Sequence, residues 1–207
     1  MPTDPRKRQK KLENKAARRK EKKHLVVREA SIPLASRFAL AVQCPVLDSC
    51  IADSCWDQGM GQAMLSRALP NGQVAVAVFL VDNYCLGVKN AIAQIVPKAI
   101  YDAKFAPGAP RSPSTRRYAP EAVRKFVEGT VEYARDLGFH PDADYEVGRL
   151  LFGDLDPAAS PDEFEYGKDG RPYYINGPHD SPAKIREILA TLERARGPQG
   201  FGSLMLG

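Results

Sequence analysis

The sequence predicts an α+β fold in which hairpins build a mostly antiparallel sheet and helices pack on it, behind a basic N-terminal tail that is disordered or a fraying helix. Two observations support this fold class. Asn71-Gly72 separates strand-like segments at 62–69 and 73–82, and Asn-Gly tolerates the positive φ that tight hairpins require. The clearest helical patterns come after these strands, which favours local antiparallel pairing over alternating strand–helix units.

Composition divides the chain into three regions: a basic tail at 1–31, a single α+β domain at 32–196 and a flexible, Gly-rich C-terminal tail at 197–207. At the start of the domain, the apolar run at 34–42 favours a short helix. The next apolar run, 46–52, predicts a strand that leads into a turn at Gly59 and Gly61.

Segment 73–82 is the strongest strand prediction. Its even-numbered residues from Val74 to Leu80 face one side, and its odd-numbered residues, among them Phe79, face the other. Both sides are apolar, so the strand is expected to lie in the interior of the sheet with both faces covered. It ends at Asp82.

Gly and Pro punctuate the next part of the chain. A helix interrupted by Pro97 is predicted for 88–103, followed by a Pro-rich loop with three arginines at 106–118. Apolar residues at spacings of three and four then predict a helix that begins at Pro120 and is closed by Gly138.

The C-terminal third is predicted to add a second hairpin and a final helix. Short apolar segments at 164–166 and 172–175 flank Gly167-Lys168-Asp169-Gly170, which is typical of a hairpin turn. Ser181 then caps a helix that Pro182 opens and Gly197 ends.

The charge of the chain is concentrated in its first 24 residues. These contain eleven Lys or Arg and three acids, a net +8, whereas the whole chain carries +5 and the rest therefore −3. Lys and Arg without interleaved aromatic residues predict contacts to nucleic-acid phosphates rather than to bases. With three arginines of the Pro-rich loop, the predicted RNA-contacting residues are Arg6, Lys7, Arg8, Lys10, Lys11, Lys15, Arg18, Arg19, Lys20, Lys22, Lys23, Arg111, Arg116 and Arg117.

Nothing in the sequence is typical of a secretory leader or a membrane span. After the basic run only Leu25, Val26 and Val27 precede Arg28, too short for the apolar part of a signal peptide. The longest apolar run, 74–81, has eight residues, far below the ~18 of a spanning helix. We therefore expect a cytoplasmic protein that does not contact the membrane, since the tail also lacks apolar anchors.

The four cysteines are expected to be free thiols without metal. Zinc sites use closely spaced pairs, and only the four-residue gap between Cys50 and Cys55 lies at the edge of that range. Neither Cys44 nor Cys85 has a histidine nearby in sequence. Buried small thiols are common in protein cores.

An enzyme is the alternative reading, centred on Asp82, Cys85 and Lys89 just beyond the strong strand. A cation near Cys85 would lower the thiol pKa and favour the nucleophilic thiolate. A general base would have to come from His140 or His179, and no spacing shows that either approaches. The simpler reading is that Asp82 caps the following turn.

A metal-dependent hydrolase would need converging carboxylates. Four aspartates are candidate ligands by number alone, and their spacing is not that of a known nuclease motif. They are Asp48, Asp53, Asp57 and Asp82. The phosphate-binding pattern G-x-x-x-x-G-K-[ST] is also absent. No metal and no cofactor is therefore predicted.

Two stretches resemble an uncharacterised family of small bacterial proteins with an FLVDxYCLGVK-like signature. The first is Val78-Phe79-Leu80-Val81-Asp82-Asn83-Tyr84-Cys85-Leu86-Gly87-Val88-Lys89, and the second is Tyr166-Gly167-Lys168-Asp169-Gly170-Arg171-Pro172-Tyr173-Tyr174 followed by Gly177-Pro178. The similarity covers about residues 40–195. It implies a bacterial cytoplasmic setting and two segments that meet in one fold, and it implies no activity.

The leading functional hypothesis is a small cytoplasmic protein that binds RNA through its tail, with ribosomal RNA as one candidate partner, because the +8 segment matches the charge pattern of nucleic-acid contact. The alternatives are the enzyme described above and a protein-interaction module whose tail merely adds solubility.

Overall fold

The computed structural model describes residues 9, 14, 15 and 32–206, and its internal contacts divide the chain into units 1–37 and 38–207. The expectation of a disordered or partly helical tail at 1–31 therefore lies almost wholly outside the described residues. The second unit is the body of the protein, and the helix Leu34–Ala41 begins just before it in the chain.

The predicted α+β fold class is confirmed. The main sheet is a five-stranded antiparallel sheet in the order β4-β3-β2-β1-β5. Its strands are β1 Val46–Ala52, β2 Met60–Ala68, β3 Gln73–Asp82, β4 Gly87–Pro97 and β5 Thr115–Arg117.

The predicted hairpin at Asn71-Gly72 is also confirmed. Strands β2 and β3 pair antiparallel from Ala68 opposite Val74 onward. The turn is closed by the Gly72 N–H, which donates to the Leu69 carbonyl at 3.1 Å. Gly72 has a φ of +78°, a conformation that glycine adopts without strain. As predicted, β3 lies inside the sheet, between β2 and β4.

The predicted helix at 88–103 is wrong for its first ten residues, because these belong to β4, which pairs with β3 along its length. Val88, Ala91, Ile92 and Ile95 have helical spacing, but pairing with a buried strand outweighs that local pattern. The helix begins only after Pro97.

Six helices lie within residues 32–206. The two strongest predictions, from Pro120 and from Pro182, are confirmed, and at the second the Lys184 N–H donates to the Ser181 side chain at 3.3 Å. The helices are α1 Leu34–Ala41, α2 Ser54–Asp57, α3 Lys98–Lys104, α4 Pro120–Asp136, α5 Tyr145–Gly148 and α6 Pro182–Arg196, with 3₁₀ turns at Arg149–Phe152 and Pro157–Ala159.

The predicted second hairpin is wrong in its pairing. Strand β6, Tyr173–Ile175, pairs in parallel with β7, Gly202–Leu204. Only a tight turn remains between Lys168 and Arg171. Phe164 is not in a strand, and its ring stacks on Trp56 with 5.8 Å between ring centroids. The C-terminal segment that was expected to be flexible therefore supplies a strand.

The two faces of the main sheet have different covers. Val74, Val76 and Val78 pack with Tyr101 of α3, and this side is called the Tyr101 face below. On the other side Phe79 stacks on Phe152 at 5.5 Å between ring centroids. Both faces of β3 are therefore buried along most of its length.

Candidate functional site

Asp82 caps the turn between β3 and β4. Its side chain is buried, at 4% exposure, and it accepts hydrogen bonds from the N–H groups of Tyr84 at 3.2 Å and Cys85 at 3.0 Å. The simpler reading of this constellation is therefore the one the geometry supports, because the carboxylate satisfies backbone donors of the turn.

Cys85 is sealed in the core, at 0% exposure. Burial raises the pKa of its thiol, the charge of Asp82 adds to the increase, and Lys89 opposes it only in part. The predicted lowering of this pKa is wrong, since sequence proximity to a lysine says nothing about desolvation. Burial likewise raises the pKa of Cys50, and that of Cys55 to about 12. None of these three thiols is activated.

Lys89 acts on two carboxylates as well as on the thiol. Its charge opposes the rise that burial causes in the pKa of Asp82, and it contributes to the lowered pKa of Asp180. Burial alone would raise the pKa of Asp180, but the Gly177 N–H at 2.7 Å, the Tyr174 hydroxyl at 3.0 Å and two lysine charges bring it below its ordinary value. Sequence reasoning missed Asp180, although it lies just after Gly177-Pro178, one of the segments singled out above.

The two segments singled out in the sequence do meet. The Gly167 N–H donates to the Asn83 carbonyl at 2.8 Å, and the Tyr173 N–H donates to the Tyr84 carbonyl at 3.1 Å. A cavity of about 420 Å³ lies at this junction, lined by Trp56, Asn83, Tyr84, Glu165, Gly167, Lys168 and Asp169.

The carboxylates proposed as metal ligands are held apart by other partners. Asp48 accepts from the Tyr101 hydroxyl at 2.6 Å and pairs with Arg117 at 2.7 Å. Asp53 accepts from the Ser114 hydroxyl at 2.6 Å. Within the described ranges, no three His, Cys, Asp or Glu side chains are placed to hold a metal ion.

The three arginines of the Pro-rich loop are exposed to solvent. Arg116 and Arg117 belong to the edge strand β5, and their side chains are 66% and 67% exposed despite the ion pairs that they make with Asp53 and Asp48. Arg111 is exposed as well. Arg116 and Arg117 are consecutive in a strand and point to opposite faces of the sheet. The three residues are called the loop arginines below.

Arg111 also lines the second cavity, a groove of about 540 Å³ at the start of β2. Its walls come from α2, from the start of β2 and from the Pro-rich loop, and Leu80 of β3 contributes to its floor. The lining residues are Ser54, Gln58, Met60, Gly61, Gln62, Leu80, Arg111, Ser112 and Pro113. Sequence reasoning had singled out only Arg111 among them.

The buried Asp82 makes the stability of the protein depend on pH. Burial raises its pKa from its ordinary value near 3.8 to about 6, so the folded state binds this proton more tightly than the unfolded state. Its contribution to stability is complete below pH 3.8 and is lost as pH rises through 6. A shift of this size corresponds to roughly 3 kcal/mol.

Asp82→Asn should remove this contribution, because the amide oxygen still accepts the turn N–H groups but does not ionise. We expect the change in unfolding free energy between pH 4 and pH 7, measured with urea, to differ from that of the parent by up to roughly 3 kcal/mol. Asp180→Asn is the matched control and should leave the difference between pH 4 and pH 7 nearly unchanged, because the pKa of Asp180 lies below its ordinary value of 3.8 and its contribution is lost only below that pH. An unchanged pH profile for Asp82→Asn would contradict this assignment.

Comparisons with protein-family models, with curated proteins and with solved structures find no match for this chain. In addition, none of the helices that the structure describes has the length and apolar character needed to cross a membrane. The residues and their geometry are therefore the basis on which a function is argued.

Proposed function

We propose that the protein binds RNA, through phosphate contacts made by its basic tail and extended by the exposed loop arginines. The observation that carries the proposal is the charge distribution, with +8 on residues 1–24 and −3 on the remainder. A basic segment that neutralises phosphates releases counterions, and this supplies most of non-specific nucleic-acid affinity. A cytoplasmic setting, with ribosomal RNA as the first partner to test, belongs to the same proposal.

The geometry of the body supports a binding role over a thiol-based one. Arg116 and Arg117 each use part of a guanidinium in an ion pair, but both stay two-thirds exposed, so the remaining N–H donors are available to phosphate oxygens. Cys85, by contrast, has no exposed surface. A buried thiol with a raised pKa is a poor nucleophile.

Deleting residues 1–24 is expected to lower the affinity for a single-stranded RNA by about 100-fold or more near 0.1 M salt, because phosphate contacts are lost together. The measurement is fluorescence anisotropy with a labelled oligoribonucleotide. The control that separates charge from length is a full-length chain in which all eleven tail Lys and Arg are changed to Gln. Its RNA affinity should fall as far as that of the deletion variant. If both variants bound as the parent does, the tail would be a solubilising segment and the proposal would fail.

A further inference from the structure

The Tyr101 face is covered over only part of its area. Helix α3 packs over the rows that contain Val74, Val76 and Val78. In the next row the register places Gln62 opposite Leu80 and Leu80 opposite Asn90, so these three side chains share a face.

This row is open to solvent. Gln62 and Asn90 are exposed and Leu80 is half-buried, although Leu80 lies in the most buried strand of the sheet. Gln62 and Leu80 of this row line the groove described above. A central strand with an apolar residue at the bottom of an open groove is a surface suited to a flat, partly apolar ligand.

The electrostatics of the groove differ from those of its surroundings. Arg111 is the one charged residue of its lining, and no carboxylate is present there, although the body carries a net −3. The described residues give the Arg111 guanidinium no ion pair, in contrast to Arg116 and Arg117. The other cavity is lined by Glu165 and Asp169 as well as Lys168, so a groove with only positive charge is a specific feature of this face.

We propose that this groove binds one nucleotide of a single-stranded RNA, an inference that rests on the proposed function and extends it from phosphate contact to base contact. Arg111 would bind the phosphate, Leu80 and Met60 would pack against the base, and the Gln62 amide would hydrogen-bond its edge. Amide side chains pair with base edges, and RNA bases are accessible in this way only where the strand is unpaired. A volume of about 540 Å³ lies within the range of small-ligand sites.

The groove should make a modest contribution to affinity and a larger one to base preference. Its lining contains no aromatic ring, and base stacking on aromatic side chains is the usual source of tight single-strand binding. The groove therefore discriminates between bases, while the tail supplies most of the affinity.

The test uses the full-length protein with decamers of A, C and U, and measures affinity at fixed salt and the salt dependence. Arg111→Gln is expected to weaken binding of all three decamers by about tenfold. Gln62→Ala is expected to reduce the ratio between the best and worst decamer to less than about twofold without changing the salt dependence. Arg186→Gln, which removes an exposed charge on α6, is the matched control and should stay within about twofold of the parent.

Any outcome other than these expected ones overturns the inference. If the parent binds the three decamers equally, or if Gln62→Ala leaves their ratio unchanged, the groove does not contact a base, and the proposed function survives through the tail. If Gln62→Ala changes only the oligomeric state, the face docks a second copy. If the parent binds no RNA, both proposals fail together. Thermal melting of each variant confirms that it is folded.

Discussion

Phe79→Asp is expected to unfold the protein at room temperature or to lower its unfolding free energy by about 4 kcal/mol or more, because it places an unpaired charge in the core. The Phe79 side chain is 0% exposed. Its ring stacks on Phe152 at 5.5 Å and meets Tyr145 edge-on at 5.9 Å. Neither of these two aromatic neighbours carries a positive charge that would compensate an aspartate.

Val78→Asp tests the opposite face of the same strand. Val78 is 8% exposed and packs in the cluster that contains Tyr101, so a loss of several kcal/mol is expected here too. Gln94→Asp, at an exposed position of β4, is the control and should cost about 1 kcal/mol or less. The measurement is urea unfolding followed by circular dichroism. If either core variant unfolded at the same urea concentration as the parent, that face of the sheet would have to be open to solvent.

Arg67→Met is expected to destabilise the protein by about 3–5 kcal/mol, since it leaves buried carbonyl groups without a donor. Arg67 is only 5% exposed. Its guanidinium donates to four carbonyls, at 2.8 Å for Val42 and Cys44, 3.0 Å for Leu151 and 3.4 Å for Phe152. This one side chain of β2 therefore joins the loop before β1 to the 3₁₀ turn at Arg149–Phe152.

Arg67→Lys separates the charge from the geometry of the guanidinium. A lysine keeps the charge but cannot reproduce the planar fork of donors, so we expect it to recover only part of the loss. Arg186→Met, at an exposed site, should change the unfolding free energy by about 0.5 kcal/mol or less. A fully stable Arg67→Met protein would show that the four carbonyls find other donors.

The parts of the fold that local signals encode were predictable. The Asn71-Gly72 turn and the apolar residues on both faces of β3 depend on residues that are next to one another in the chain. The helix cap at Ser181 is equally local. Strand β4 was not predictable in this way, because Val88 to Ile95 also fit a helical spacing and only pairing with β3 decides between the two. The β6–β7 pair joins segments about 30 residues apart in the chain, and nothing local indicates it.

At the candidate site too, local features were predictable and features set by distant residues were not. The arginines of the loop were visible in the sequence, but the groove beside Arg111 depends on the register that brings Gln62, Leu80 and Asn90 together. The error at Cys85 has a similar origin. A thiol pKa depends on burial, and the packing of Cys85 with Leu137 and Tyr174 comes from residues far along the chain.

The salt dependence of RNA affinity tests the central claim most directly. If about six tail side chains contact phosphates of a single strand, the plot of log affinity against log salt for the full-length chain should have a slope of about −4. The chain whose eleven tail Lys and Arg are changed to Gln should lose most of that slope. A full-length slope near zero, or an equal slope for both proteins, would contradict RNA binding by the tail.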